Sequence, residues 1–392
     1  MLPLEGITII SLEQAVAAPF ATRQLAELGA RVIKVERPEV GDFARSYDER
    51  AKGLASHFAW LNRSKESLTL DLKQPEGQKI LAALVEKADV FLQNLAPGAT
   101  ERLGFGSDAL REKYPQLIVC NISGYGTDGP YQKKKAYDLL IQCEAGMLSI
   151  TGTEETPSKV GISVADISGA MYAYSGILTA LYQRTQTGQG TVLDVSLFDT
   201  LGEWMGFPAY FAYEGAEPPN RTGASHSAIA PYGPFTTGDN EQVNLGVQNE
   251  REWAKFCDIV IQRPDLIQDD RFNSNYKRVT HRDALTALIN EALSTLSTEE
   301  VVKRLDEASI ANARMNTMAG FWNHPQYAAR DRWTHVESPV GPLKALKPPV
   351  IMRDSDYKIT AIPALGGNND DILREIGYNE SDIQKLRQEG VI

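Results

Sequence analysis

The chain has 392 residues and a net charge of −11, with 40 Lys and Arg residues against 51 Asp and Glu residues. A hydrophobic fraction of 42% is typical of a globular protein, and this length predicts roughly two or three domains. The acidity argues against a general binder of nucleic acids or anionic membranes, although it allows a local basic pocket for a small phosphorylated ligand.

The first ~125 residues alternate between strand and helix patterns. Short apolar runs predict strands over 7–12, 31–36, 90–92 and 117–122, and helical patterns over 19–28 and 75–87 lie between them. Strand, helix and strand within about 30 residues make one βαβ unit, which implies parallel pairing and a right-handed crossover. The pattern therefore predicts a doubly wound α/β sheet.

A longer helix is predicted over 166–184, with small residues at positions 169, 173, 176 and 180 on one face. Such a stripe lets another backbone pack closely. Asp166 stands at the predicted start of this helix and has two interpretations. It is an N-cap that satisfies a free N–H group, or it is a carboxylate nucleophile that the helix N-terminus keeps anionic, with N–H groups nearby for an oxyanion.

Two linkers divide the remaining chain. Residues 214–239 are rich in Pro, Gly, Ser and Thr, and residues 339–349 carry four prolines, while 253–318 is mainly helical with a capping box at Ser297. We expect a large α/β domain over 1–210 and 330–392, a small mainly helical α+β domain over 225–325, and linkers over 211–224 and 326–349.

Several kinds of chemistry are not supported. The turn over 13–19 contains no glycine, so the dinucleotide fingerprint GxGxxG is missing there, and GxxxxGK[ST], GxSxG and HExxH are also missing. The segment over 124–130 fits GxGxxG in its letters, but Pro130 follows where a helix should open. The three cysteines predict reduced thiols, and no metal site, signal peptide or membrane helix is indicated. We expect a cytoplasmic protein.

Basic residues follow predicted strands or lie in adjoining loops at Arg37, Lys73 and Arg102, and a lysine triplet occupies 133–135. Each is ordinary by itself, since a basic run is usually a solvated surface. The carboxyl ends of parallel strands meet at one edge of a sheet, where open α/β sheets bind ligands. Together these side chains therefore form a candidate basic pocket.

Several segments together resemble the family III CoA-transferases, the CaiB/BaiF family. They are LEGITIISLEQAVAAPFATRQLAELGARVIKVERPEVGD, NRSKESLTLDLKQPEG, ADVFLQNLAPGATERLGF, SGYGTDGPY, DISGAMYAYSGILTALYQRTQTGQGTVLDVSLFD and LREIGYNESDIQKLRQEGVI. The resemblance covers essentially the whole chain. It implies an interlocked homodimer, CoA thioesters as substrates and no tightly bound cofactor.

The resemblance also implies a ping-pong reaction on Asp166, through a mixed anhydride and an aspartyl-CoA thioester, which needs a site that excludes water. Carried over position by position, the CoA-binding residues are Ala15, Arg37, Leu70, Lys73, Asn94, Leu95, Arg102, Lys135 and Tyr137. The residues on the substrate side are Asp138, Arg45, Arg50 and His226. No metal is implied.

The same family contains α-methylacyl-CoA racemases, which carry a His where this sequence has Tyr137. Tyrosine, with a pKa near ~10, is a poor general base at neutral pH, which favours the transferase. The loop over 226–234 lacks the glycine run of the oxalate branch. The segments over 11–38 and 41–77 look most like the bacterial itaconate CoA-transferases, which use succinyl-CoA as donor.

Other acceptors stay open at this stage: malate, citramalate, mesaconate and oxalate. A C4–C5 dicarboxylate leaves one carboxylate to recognise, for which an arginine is the natural bidentate partner, and Arg45, Arg50 and Arg221 are the candidates. A nicotinamide oxidoreductase and a non-catalytic CoA-binding protein are the competing hypotheses from other functional classes.

Overall fold

The computed structural model describes all residues from Met1 to Ile392, and the chain divides into two compact units. The first unit comprises Met1–Ala145, Gly161–Met205 and Tyr327–Ile392. The second comprises Gly146–Val160 and Gly206–Gln326. Each unit is therefore built from segments that are separated in sequence.

A six-stranded parallel sheet forms the centre of the first unit. Its strands are β1 (Thr8–Leu12), β2 (Arg31–Glu36), β3 (Glu66–Thr69), β4 (Val90–Gln93), β5 (Ile118–Ser123) and β6 (Val192–Ser196). Their order is β3-β2-β1-β4-β5-β6, and every neighbouring pair is parallel. The predicted doubly wound α/β sheet is confirmed, with the strand order reversing between β1 and β4.

Helices of the first unit connect these strands and complete its C-terminal part. They are α1 (Ala17–Glu27), α2 (Ser56–Leu61), α3 (Pro75–Val85), α4 (Ala99–Arg102), α5 (Ser107–Lys113), α6 (Asp138–Glu144), α8 (Val164–Thr187), α9 (Leu197–Trp204), α17 (Asn369–Glu375) and α18 (Glu380–Gln388). An antiparallel hairpin of β10 (Trp333–Val336) and β11 (Leu343–Leu346) precedes α17. The central strands are mostly apolar because parallel sheets are covered on both faces, with Lys34 of β2 as a buried exception.

The predicted strand set lacks the two edge strands, β3 and β6. β3 has only four residues, and it begins with Glu66 and Ser67. In β6 four of the five residues are partly or fully exposed, because the strand has a neighbour on one side only. Neither segment therefore shows the continuous apolar run that reveals a central strand.

The stripe of small residues on α8 packs as the sequence predicts. A Cβ atom on Gly169 would lie 2.4 Å from Cδ2 of Leu197, so a larger residue there would force the Leu197 side chain to move. At Gly176 a Cβ atom would lie 3.5 Å from Leu193, which is an ordinary contact distance. Of these two glycines, only Gly169 therefore contributes to the close packing of α9 on α8.

The C-terminal segment returns to the sheet of the first unit. Ile372 and Ile383 are fully buried in the same apolar core as Leu68. The side chain of Asn369 accepts a hydrogen bond from the backbone N–H of Thr69 at 2.9 Å and donates to its Oγ1 at 2.7 Å. These contacts tie the end of the chain to β3.

The second unit has its own apolar core around Trp253, Phe256 and Phe272. Its three-stranded antiparallel sheet contains β7 (Tyr232–Thr236), β8 (Gln242–Gly246) and β9 (Ala311–Arg314). Its helices are α7 (Met147–Ile150), α10 (Gly206–Phe211), α11 (Glu250–Lys255), α12 (Asn275–Thr280), α13 (Arg282–Leu293), α14 (Thr298–Glu307) and α15 (Met318–Trp322), and α16 (Pro325–Ala329) contains the boundary between the units. Ser297 caps α14, since its Oγ accepts from the N–H of Glu300 at 3.3 Å, but the predicted capping box is incomplete because the Glu300 side chain pairs with Arg304 at 2.8 Å.

The three cysteines are free thiols, with Cys120 and Cys257 buried and Cys143 exposed. No helix of the structure combines the length and the apolar character that crossing a membrane requires. No group of three or more His, Cys, Asp or Glu side chains over residues 1–392 has a geometry that would hold a metal ion.

Candidate active site

The residues assigned to CoA binding follow the carboxyl ends of the strands. They are Ala15 after β1, Arg37 after β2, Leu70 and Lys73 after β3, Asn94, Leu95 and Arg102 after β4, and Lys135 and Tyr137 after β5. The topology thus brings residues that are distant in sequence to one edge of the sheet. In open α/β sheets this edge, at the point where the strand order reverses, is where ligands bind.

The turn after β1 is held from two sides. Ala15 has a left-handed φ of 60°, and its N–H donates to Oδ1 of Asp42 at 3.0 Å. The N–H of Gln14 donates to Oδ1 of Asn94 at 2.8 Å, and Nδ2 of Asn94 returns a bond to the carbonyl of Gln14 at 2.9 Å. Side chains therefore occupy the amides that a glycine-rich turn would point at a pyrophosphate.

A buried charge network lies beneath this turn. Nζ of Lys34 is 2.7 Å from Asp42 and 3.4 Å from Glu13, and Nζ of Lys65 is 2.7 Å from Glu13, with none of the four side chains exposed. Although burial opposes ionisation, the two lysines lower the pKa of Glu13 to about 2. Burial lowers the pKa of Lys65 to about 7. No local pattern in the sequence signals this network, because its members are far apart in the chain.

Arg45 does not have the substrate-side position expected of it. Its Nη2 and Nε lie 2.6 and 2.8 Å from the two carboxylate oxygens of Glu36, and its guanidinium stacks 3.8 Å from the ring centre of Phe58. The bidentate pair commits the guanidinium to the protein. The assignment of Arg45 to a substrate carboxylate is therefore wrong, because Glu36 occupies its planar fork.

Four cations near the carboxyl edge are exposed and make no ion pair with another side chain: Arg37, Lys73, Arg102 and Lys135. The only side-chain hydrogen bond among them runs from Nη2 of Arg37 to the carbonyl of Gly41, at 3.3 Å. Their charges therefore remain available to an anionic ligand.

Leu70 and Leu95 differ in what they offer to a ligand. Leu70 is 2% exposed and packs in the core beneath the sheet edge, so its side chain cannot line an open path. This corrects the expectation that it does. Leu95 is half-buried, and its N–H donates to Oε1 of Gln93 at 2.8 Å. Of the two, only Leu95 has a side chain that can touch a ligand.

The loop after β5 is folded upon itself rather than open. The rings of Tyr125 and Tyr131 meet edge to face at 5.2 Å, and Nζ of Lys134 lies 4.2 Å from the centre of the Tyr131 ring. Lys134 also forms an ion pair with Glu144. The middle lysine of the 133–135 triplet is therefore a structural residue.

Asp166 lies in the first turn of α8, after the N-cap residue Ser163, whose side chain makes no capping bond. The carboxylate of Asp166 accepts no hydrogen bond within residues 1–392. Oδ1 of Asp138 instead accepts from the N–H groups of Ala165 at 2.8 Å and of Asp166 itself at 3.3 Å. The interpretation of Asp166 as a helix cap is therefore wrong, because a residue of α6 performs that role.

The helix N-terminus does not keep Asp166 anionic as expected. Burial, together with the negative charge of Asp138, raises the pKa of Asp166 to about 7. Asp138 also occupies the second and third amides of the helix, so these are not available to an oxyanion. What remains is a half-buried, unpartnered carboxylate, which suits a nucleophile better than a structural aspartate.

Two tyrosines belong to the surroundings of Asp166. Tyr137, at the N-cap of α6, is 64% exposed. Burial, together with the charges of Asp42 and Asp166, raises the pKa of Tyr47 to about 12. Tyr47 is therefore a neutral phenol and a hydrogen-bond donor at pH 7. Its only signal in the sequence is an aromatic residue in the polar loop after β2.

The other substrate-side candidates have different surroundings. In the second unit, Nδ1 of His226 accepts from the N–H of Ala228 at 3.1 Å, and the ring stacks on Tyr232 at 5.3 Å. The guanidinium of Arg221 donates only to backbone carbonyls, including that of Thr153 at 2.9 Å, so it is structural. Arg50 is exposed and makes no ion pair. Only Arg50 keeps a guanidinium available for a carboxylate.

Three comparisons with known proteins agree on one family. The model of CoA-transferase family III matches residues 4–369. A human succinyl-CoA:glutarate CoA-transferase is 32% identical over 397 residues, covering 100% of this chain and 90% of that protein. An acyl-CoA transferase of Fusarium pseudograminearum is 35% identical over 404 residues, covering 99% of this chain and 88% of that protein. The crystal structure of a CAIB/BAIF family protein from Brucella suis matches with a TM-score of 0.83 at 31% identity, and the match covers 96% of this chain and 99% of that protein.

Proposed function

Because the chain belongs to CoA-transferase family III, we propose that it transfers CoA from succinyl-CoA to a dicarboxylic acid, with itaconate as the expected acceptor. The single observation that supports this most strongly is the carboxylate of Asp166. It is half-buried, has no hydrogen-bond partner and has a pKa raised to about 7. Those properties suit a carboxylate that must attack a thioester.

The reaction proposed for Asp166 has two halves. Its carboxylate oxygen attacks the carbonyl carbon of succinyl-CoA, the carbon–sulfur bond breaks, and CoA thiolate leaves a mixed anhydride of succinate and Asp166. The thiolate then attacks the aspartyl carbonyl, so that succinate departs and an aspartyl-CoA thioester forms. The acceptor acid reverses these steps and leaves as its CoA thioester, which regenerates the carboxylate.

The proposed site for CoA is the carboxyl edge of the sheet. Arg37, Lys73, Arg102 and Lys135 supply exposed positive charge for the phosphates, which explains how a chain of net charge −11 binds a polyanionic ligand. Ala15, Asn94 and Leu95 lie at the ends of β1 and β4, where the nucleotide and the pantetheine arm are placed. Tyr137 is placed where the arm reaches the carboxylate.

The acceptor proposal rests on the segments that resemble itaconate CoA-transferases. The name of the human relative favours a second candidate of the same size class, because glutarate, like itaconate, is a C5 dicarboxylate. Either acid presents a free carboxylate, for which Arg50 is the proposed partner, since its guanidinium makes no ion pair.

The test is a competition assay that uses succinyl-CoA with itaconate, glutarate, malate, citramalate, mesaconate and oxalate, each product being quantified by mass spectrometry. The proposal expects itaconyl-CoA to form with the highest kcat/KM. A higher value for glutarate would transfer the assignment to that acid, and turnover of none of the six would overturn the proposed function.

We also propose an interlocked homodimer. Residues 207–213 carry four exposed aromatic side chains, and Phe207, Tyr210 and Tyr213 are 53%, 80% and 63% exposed in the single chain. Such a concentration of exposed aromatic surface marks a protein interface. Light scattering after size exclusion should give twice the mass of one chain, and the mass of a single chain would contradict the proposal.

A further inference from the structure

We infer that Asp138 is a positioning residue for Asp166: it occupies the first amides of α8 and thereby leaves the neighbouring carboxylate unpartnered and opposed by a second negative charge. The inference rests on the proposed function only in taking Asp166 as the nucleophile. The juxtaposition of the two carboxylates is a feature of the folded chain itself.

The geometry of Asp138 is well determined by its contacts. Oδ1 receives hydrogen bonds from the N–H groups of Ala165 and Asp166, at 2.8 and 3.3 Å. Oδ2 receives one from Nε2 of Gln142, at 2.7 Å, and Gln142 is completely buried on the same helix. Both carboxylate oxygens of Asp138 are thus engaged by groups of the protein.

Without Asp138, the start of α8 would stabilise the ionised carboxylate of Asp166 instead of opposing it. Unpaired amides in the first turn stabilise a carboxylate, and the helix dipole adds to that stabilisation. Ser163, the N-cap residue, makes no side-chain bond that would replace Asp138. Because Asp138 takes up these amides, Asp166 loses their stabilising contact and is instead repelled by the negative charge of Asp138.

Two tyrosines lie around Asp166. Tyr47, from the loop after β2, has a pKa raised to about 12 and is therefore uncharged at pH 7, and Tyr137 is exposed. Among charged groups, Asp138 alone acts on Asp166. Any change of charge at Asp138 should therefore be felt directly at Asp166.

This arrangement favours the first chemical step. Attack on the thioester converts the Asp166 carboxylate into an uncharged anhydride, so its repulsion with Asp138 is relieved as the bond forms. An interaction that is unfavourable in the ground state and absent afterwards lowers the barrier of that step. Asp138 does not need to touch the substrate to have this effect.

The test is a 13C NMR titration of aspartate-labelled protein without substrate, with the Asp166 signal assigned through Asp166→Asn. In Asp138→Asn the amide oxygen keeps the two helix bonds while the charge is lost, so the titration midpoint of Asp166 should fall by about one pH unit or more. The control Asp108→Asn, an exposed first-turn residue of α5, should leave that midpoint unchanged. An unchanged midpoint in Asp138→Asn would overturn the inference.

A second variant keeps the inference testable even where Asp138→Asn does not fold. Asp138→Ser offers a hydroxyl oxygen, a good acceptor at a helix start, but carries no charge, so the midpoint of Asp166 should again fall, and an unchanged midpoint would overturn the inference. These titrations need no turnover. Failure of succinyl-CoA to acylate Asp166 would therefore count against the proposed function alone.

Discussion

Nζ of Lys34 lies 2.7 Å from Oδ2 of Asp42, and neither side chain is exposed to solvent. The other oxygen of Asp42 accepts the N–H of Ala15, the left-handed residue in the turn after β1. The pair therefore links the buried charge network to the backbone beside the proposed CoA site. Removing one member of a buried pair leaves an uncompensated charge.

Asp42→Asn should lower the free energy of unfolding by about 3–5 kcal/mol, because the amide keeps the bond to Ala15 but leaves the buried Lys34 with only its longer contact, 3.4 Å, to Glu13. Urea denaturation measures this difference. The control is Lys79→Met, which removes an exposed pair with Glu76 and should cost less than about 1 kcal/mol. Equal effects of the two substitutions would contradict a structural role for the buried pair.

Asn94→Ala removes both hydrogen bonds that hold Gln14. Two lost bonds in a partly buried turn correspond to about 1–3 kcal/mol, so KM for succinyl-CoA should rise about 10-fold or more while kcat changes less. Steady-state kinetics separate the two constants. A fall in kcat at constant KM would show that the turn does not position CoA.

Arg37→Ala and Arg102→Ala should each raise KM for succinyl-CoA, by about 5–10-fold at low salt, since each removes one exposed charge from the proposed phosphate site. Neither should change the kinetics of succinyl-pantetheine, which lacks the nucleotide. Lys87→Ala, an exposed residue that precedes β4 at the opposite edge of the sheet, is the control. Equal effects on both substrates would place the phosphates elsewhere.

Asp166→Asn should stabilise the protein at alkaline pH. Because its pKa in the folded state is raised to about 7, folded protein holds this proton more tightly than the unfolded chain does. The resulting destabilisation is absent below pH ~4, grows as pH rises towards 7 and is constant above it. After allowance for solvent screening we expect about 1–3 kcal/mol at pH 8. Thermal unfolding of the wild type and of Asp166→Asn at pH 4.5 and 8 measures this difference. A stabilisation by Asp166→Asn that is equal at both pH values would contradict the prediction.

The sequence predicted the parts of this fold that depend on local pattern. Central strands such as β1 and β2 appear as apolar runs, and the small residues of α8 predict its close packing. The edge strands β3 and β6 could not be predicted from pattern, because one has four residues and the other is half-exposed. Their place is fixed by pairing with neighbours that are distant in sequence.

The residue types of the candidate site could be predicted from the sequence, but the hydrogen bonds and ion pairs between them could not. The resemblance brought Asp138 and Asp166 to one centre, yet the bond between Asp138 and the start of α8 spans 27 residues and has no sequence signal. The same holds for Arg45, whose pairing with Glu36 depends on how a loop folds back over β2. Electrostatic roles are set by such tertiary contacts, which composition and spacing do not encode.

The most direct test of the account is to trap the covalent intermediate on Asp166. The protein is incubated with succinyl-CoA and then hydroxylamine, digested, and analysed by peptide mass spectrometry, with Asp166→Asn as the matched control. The account predicts that a hydroxamate forms at Asp166 only in the presence of the thioester, and that the control shows neither the adduct nor CoA transfer. An adduct at another residue, or full transfer activity in Asp166→Asn, would contradict the account.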